Sequence, residues 1–194
     1  MRYRTHERGF TLIEMVVSVA LFAIVMTICV DVLLSLVNAN RKAQALQSVM
    51  NNLDIALDGM VRGIREGSDY HCGNPPSSTP QDCPSTSDDP SNHYVFAFEP
   101  YGNTAANPPW VYSYDAVTKR IYRSENGQSP IAITAPEVSI DSMEFYVVGT
   151  AHGNGDTVQP KVIIVIKGSA GNAGTNAVTT FHIQATAVQR VLDL

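Results

Sequence analysis

Between Arg8 and Val30 the chain reads RGFTLIEMVVSVALFAIVMTICV, where a basic leader stops at Gly9 and an apolar run begins at Phe10. No other stretch limits the fold so strongly. As a helix, the 21 residues from Phe10 to Val30 would span about 31 Å, close to the hydrocarbon thickness of a bilayer. Arg2, Arg4 and Arg8 outweigh Glu7 on the short N-terminal side, so the positive-inside rule places that end in the cytoplasm and the rest outside. No small-residue site of the A-x-A kind follows the apolar core, so the segment is expected to stay on the mature protein as a single pass.

One acid, Glu14, interrupts this run. A carboxylate at the centre of a membrane helix costs about 2.5 to 3.5 kcal/mol, so its presence needs a cause. Were the chain cut between Gly9 and Phe10, Phe10 would gain a free ammonium one helical turn before Glu14, and opposite charges would meet where the dielectric is low. The other reading is an acid at the membrane edge that snorkels to the headgroups.

Gly9, Phe10, Thr11, Leu12, Ile13 and Glu14, behind a short basic leader, closely resemble the processing site of type IV prepilins and pseudopilins. The resemblance implies cleavage after Gly9 by prepilin peptidase, N-methylation of Phe10, and an assembly role for Glu14. It also implies partners: other pilins or pseudopilins, an inner-membrane assembly platform, and membrane lipid. The motif is specific and covers about the first 30 residues, and the helical organisation that follows extends the likeness over roughly the first third of the chain.

The apolar pattern continues past the membrane length. Leu46, Val49, Met50, Leu53, Leu57, Met60, Val61 and Ile64 recur every three or four residues, the spacing of one buried helix face. Arg41, Lys42, Gln44, Gln47, Asn51, Asp54, Asp58, Arg62 and Arg65 fill much of the remainder. No proline or glycine occurs between Phe10 and Asp58, so one unhinged helix of about 86 Å is expected from Phe10 to Glu66. Gly67, Ser68 and Asp69 end it. Asp31 marks either the outer membrane boundary or a face for a partner, and the boundary is favoured.

Cys72 and Cys83 bracket CGNPPSSTPQDC, a Pro, Ser and Asp-rich loop with no regular pattern. A disulfide between them suits an exported domain and would contribute on the order of 3 kcal/mol. Metal binding is disfavoured, since no second Cys or His pair has ligand spacing. His71 reads as a surface residue and Cys29 as a small residue of the apolar span.

Beyond the loop the periodicity turns to two. Tyr94, Phe96 and Phe98 alternate, as do Val111, Ser113 and Asp115 against Tyr112 and Tyr114. The pattern predicts strands near 94–98, 110–115, 120–124, 138–148, 160–167 and 177–189, with Asp115 to Lys119 as a hairpin turn. HGNGD at 152–156 and GSAGNAG at 168–174 read as connections. Asn154 and Asp156 make a poor calcium site, with one acid and no second carboxylate nearby. Trp110, after Pro108 and Pro109, reads as a core anchor.

Charge narrows the functions. The chain has 13 basic and 18 acidic residues, and removal of residues 1–9 leaves 10 and 17, a net charge of −7. From Gly67 to Leu194 there are six basic and twelve acidic residues, which argues against direct nucleic-acid binding. The histidines and acids fall into no catalytic motif, and no cofactor or metal site is expected.

The expected fold is α+β and pilin-like: a long N-terminal helix packed on an antiparallel β-sheet. Its parts are a cleaved leader (1–9), a membrane or filament-core helix (10–37), its amphipathic continuation (38–66), a disulfide-closed loop region (67–92) and an antiparallel sheet region (93–194). General shape is closer to minor pseudopilins of the J or W type than to a major pilin. The expected function is structural, as a subunit of a type IV pilus or type II secretion pseudopilus. Two other classes stay open: a membrane-anchored tip or cargo-binding protein, and an exported enzyme. An exposed aromatic patch around Tyr101, Trp110 and Tyr112 would favour the binding class.

Overall fold

The computed structural model describes residues 9–73, 76–77, 79–83, 93–103, 107–136, 138–151, 158–170 and 178–190. The elements are α1 (Leu12–Glu66), β1 (Ser68–Cys72), β2 (Val95–Glu99), β3 (Trp110–Asp115), β4 (Arg120–Ser124), β5 (Ile131–Ala132), β6 (Ser139–Val148), β7 (Lys161–Ala170) and β8 (Thr179–Val188). The chain divides into two units, residues 1–43 and 44–194.

In the first unit the described structure is helical from Leu12, and every residue from Gly9 to Ala43 is exposed. Two of its hydroxyls bond back along the helix. Ser18 Oγ donates to the Glu14 carbonyl at 2.7 Å and Thr27 Oγ1 to the Ala23 carbonyl at 2.8 Å. Each bonds one turn back, as a polar group must where no water is present.

In the second unit α1 contributes one face to a core. Val49, Leu53, Ala56, Leu57, Met60 and Ile64 are buried, while Ile55 faces solvent. This matches the predicted stripe apart from its rim, where Leu46, Met50 and Val61 are only part-buried. The helix ends at Glu66, and its last carbonyls are met by the fold. Tyr70 Oη donates to the Ile64 carbonyl at 2.6 Å and the Arg190 amide to the Arg65 carbonyl at 2.8 Å. Gly67 serves close approach, since a Cβ there would lie 2.8 Å from the Glu99 carbonyl oxygen and against the Phe98 ring. The left-handed backbone falls instead on Asp69, at φ 53°.

Two antiparallel sheets stand where one was expected. The first has the order β1-β2-β3-β4-β5 and the second β6-β7-β8. Their core is aromatic near the junction: the Phe96 ring lies 5.3 Å from Phe145 and 5.7 Å from Phe98, which stacks on Tyr112 at 5.8 Å. Leu53 sits fully buried in the same core. Leu53→Ala should therefore cost about 2 to 5 kcal/mol, read as a lowered urea midpoint of the full chain in detergent, because a packed interior collapses poorly around a void.

Three departures from the sequence reading have physical causes. Ser68–Cys72, assigned to loop by its composition, is a strand because it pairs with β2 (His71 with Ala97, Cys72 with Phe96) and buries Tyr70. His71 is consequently buried rather than at the surface, with Nδ1 2.7 Å from the Thr79 carbonyl. Gly168, Ser169 and Ala170, read as connection, extend β7. At Gly168 an added Cβ would stand 2.5 Å from Phe181 Cζ and 2.6 Å from the Ser139 carbonyl oxygen. The bare glycine lets that ring lie over the strand, so Gly168→Ala should lower stability by about 1 to 3 kcal/mol in the same denaturation assay.

The hairpin from β3 to β4 forms as predicted, with Asp115 opposite Arg120. The Thr118 hydroxyl at 2.7 Å and the Val117 amide at 2.9 Å donate to Asp115 and hold its carboxyl below the usual carboxylate range. This support is present above the unfolded carboxylate pKa and is lost as pH falls through the lowered one. The two-residue strand β5 was not predicted. Asn154 and Asp156 lie outside the described residues, as do 171–174 of the glycine-rich segment.

Candidate processing and assembly site

The first helical turn sets the geometry around Gly9. Gly9, Phe10 and Thr11 precede α1, and Phe10 is 78% exposed. Thr11 Oγ1 accepts the Glu14 amide at 3.3 Å, and the Thr11 carbonyl accepts the Met15 amide at 3.2 Å. Thr11 is thus the N-cap and Glu14 the third helical residue, the T-x-x-E pattern of a capping box. This pattern was legible in the sequence and went unread there.

The cap changes one expectation. Phe10 was expected to begin the helix, one turn before Glu14. In the uncut chain the helix starts two residues later, because the Thr11 hydroxyl takes up an amide that would otherwise be an orphan of the first turn. The Gly9–Phe10 bond therefore lies in exposed, non-helical backbone just ahead of the capped turn. The Glu14 carboxylate stands in the first turn, where the helix dipole favours an anion.

Behind this turn the helix is built to be surrounded by apolar matter. An 18-residue window of α1 reaches a mean hydropathy of 2.6 with none of it buried. Leu12, Val16, Val19, Phe22, Met26 and Leu33 all lie bare. By length and composition this segment can cross a membrane. Asp31 and Cys29 are exposed on it, and Cys29 carries a free thiol.

Cys72 and Cys83 are joined, with their Cα atoms 5.9 Å apart. Both are buried. The residues before Cys83 tie the two sheets together: the Gln81 amide donates to the Tyr70 carbonyl at 2.9 Å, and Cys83 exchanges two 2.8 Å bonds with Val147. Between them the Asp82 carboxylate accepts the Thr150 amide at 2.8 Å and its hydroxyl at 2.7 Å.

The aromatic patch raised by the sequence is only partly present. Tyr112 is buried, and its burial pushes its phenol above the usual tyrosine range. Tyr101 is 84% exposed and shares a cleft of about 430 Å³ with Trp110, Glu66 and Asn126. Trp110 is held by a 3.2 Å bond from its indole nitrogen to Asn126 and by the Arg123 guanidinium, 5.5 Å from its ring centre. Among the described residues no group of three or more His, Cys, Asp or Glu side chains is placed to hold a metal ion.

Residues 4–30 match the family described as the prokaryotic N-terminal methylation motif. No curated protein and no solved structure matches the chain. A capped apolar helix carrying that motif, whose later residues pack on antiparallel sheets, makes this a type IV pilin-like protein and a substrate of prepilin peptidase.

Proposed function

We propose that this chain is a minor structural subunit, of the J or W kind, of a type IV pilus or type II secretion pseudopilus, and that its role is assembly rather than catalysis. Prepilin peptidase cuts after Gly9 and Phe10 becomes the methylated terminus. The helix holds the subunit in the inner membrane with its N-terminus in the cytoplasm and its β-domain outside, until the assembly platform moves it into a filament. There the Glu14 carboxylate neutralises the Phe10 ammonium of a neighbour, since either charge left alone in apolar surroundings is costly. The supporting observation is the methylation motif at the foot of a helix whose first 32 residues, Leu12 to Ala43, are all exposed.

Mass spectrometry of the protein from cells containing the peptidase tests this directly. The mature chain should begin at N-methyl-Phe10, and Gly9→Val should retain the leader, because a side chain there keeps the backbone from closing on the catalytic cleft. An intact Met1 terminus on the wild-type protein in such cells would refute the assignment.

The cleft beside Tyr101 supports a second reading, a membrane-anchored tip or cargo-binding protein using the same machinery. Tyr101→Ala separates the two. It should leave recovery in filaments unchanged in either case, and only a binding role predicts a loss of retained cargo.

A further inference from the structure

Two sheets have four edges, and a bare edge is a template for another strand. Two of these are met by the chain itself, and a third is too short to serve. Along β1 the edge is met by Gln81, along β6 by Cys83 and by the Lys119 carbonyl, which accepts the Ile140 amide at 3.0 Å, and β5 is only two residues long. The fourth edge is β8. It is ten residues long and pairs with β7 in unbroken register from Thr179 opposite Ala170 to Val188 opposite Lys161. Among the described residues no backbone hydrogen bond meets its outer side.

None of the usual guards is present on β8. TTFHIQATAV contains no Asp, Glu, Lys, Arg, Pro or Gly, and no bulge turns the strand away. A ten-residue antiparallel edge turns about five amides and five carbonyls outward. The rail is also firmly mounted, since two residues past its end the Arg190 amide bonds the Arg65 carbonyl at the end of α1.

We propose that the outer edge of β8 is a docking rail for an extended, uncharged segment of a different subunit of the same assembly. The inference rests on the assembly reading above. Charge supports this occupant: on a processed chain that is acidic at −7, β8 carries no Asp, Glu, Lys or Arg, so an uncharged strand meets a neutral seam there while a charged one would gain no pairing along it. A second copy fits less well. An antiparallel β8–β8 pair needs a two-fold axis that reverses one copy's strands against the other, and it closes as a dimer. Subunits delivered from one membrane with one polarity cannot meet that way.

The test uses the full chain, produced with its peptidase and filament machinery. Backbone amide exchange over residues 179–188 is compared between detergent-solubilised protein and sheared filaments. In detergent about half of these amides should exchange fast, and in filaments they should be protected. Thr186→Lys places a guarding charge on the exposed strand. Gln184→Pro and Ala185→Pro are made as a pair, because adjacent amides point to opposite edges, so one of the two removes only an outward donor. That proline variant and Thr186→Lys should keep the wild-type unfolding midpoint and be processed, yet be recovered in filaments about tenfold less.

Recovery of Thr186→Lys equal to wild type, or equal exchange in both preparations, overturns the rail. So does a dimer in detergent with β8 already protected, which would make the occupant a second copy. Wild-type protein that is processed but never recovered with filaments defeats the assembly reading instead, and the rail with it.

Discussion

Glu14→Ala is expected to be inserted, cut and methylated like the wild type, and then to be nearly absent from filaments. Insertion should not suffer, because removing a charge from an apolar helix lowers the cost of membrane residence. Helix initiation should survive, since the bond that caps the first turn runs from the Glu14 main-chain amide to the Thr11 hydroxyl and does not involve the carboxylate. On the proposed pairing, what is lost is the partner of a neighbour's Phe10 ammonium. Breaking a buried ion pair by removing one member costs about 3 to 5 kcal/mol, more than a factor of about a hundred in an equilibrium. Glu14→Gln should fall between, keeping a hydrogen-bond acceptor without the charge. Thr11→Ala is the control, as it loses the cap at about 1 kcal/mol and leaves the charge pair alone. The measurement is each variant's share in sheared filaments relative to its processed membrane pool. If Glu14→Ala is recovered as well as wild type, the acid only marks the membrane edge.

The second large effect is expected from opening the disulfide. Replacing both Cys72 and Cys83 by serine should lower stability by on the order of 3 kcal/mol in the chain-entropy model, for a bridge spanning 11 positions. Serine hydroxyls would also stand in a core where both sulfurs are now buried. The expected readout is a fall in the urea midpoint of the full chain, with wild type under reductant falling to a similar value. An unchanged midpoint would mean that the bonds of Gln81 and Cys83 hold the segment without the bridge.

Where the sequence was legible, one kind of physics dominated. The helix face from Val49 to Ile64 and the strands from Trp110 to Ser124 follow from periodicity, because burial on one side repeats at 3.6 or at two. The methylation motif was legible because it is local. What stayed hidden depends on distant partners. Ser68–Cys72 has no strand-forming composition and becomes a strand through β2 and Tyr70. Gly168 looks like a turn residue until Phe181 is placed over it. The division into two sheets has no sequence signal, since it turns on which edges Gln81 and Cys83 meet. The capping box at Thr11 and Glu14 is the opposite case, a local pattern carried by two residues three apart and visible in the T-x-x-E spacing alone.

The end of α1 has a mechanical consequence. If the chain is a filament subunit, as proposed, tension on it would be carried by its helix, and within the β-domain that load would enter through residues 44–66. The apolar face from Val49 to Ile64 lies along the direction of pull, so its contacts are sheared together instead of being peeled one after another. The anchoring points at the far end, Tyr70 on the Ile64 carbonyl and Arg190 on the Arg65 carbonyl, fix the last turn to β1 and to the residue two past the end of β8. Force is thereby divided between β1 and the end of β8, and the domain should yield under load by losing the helix as a unit rather than by fraying from Glu66 inward.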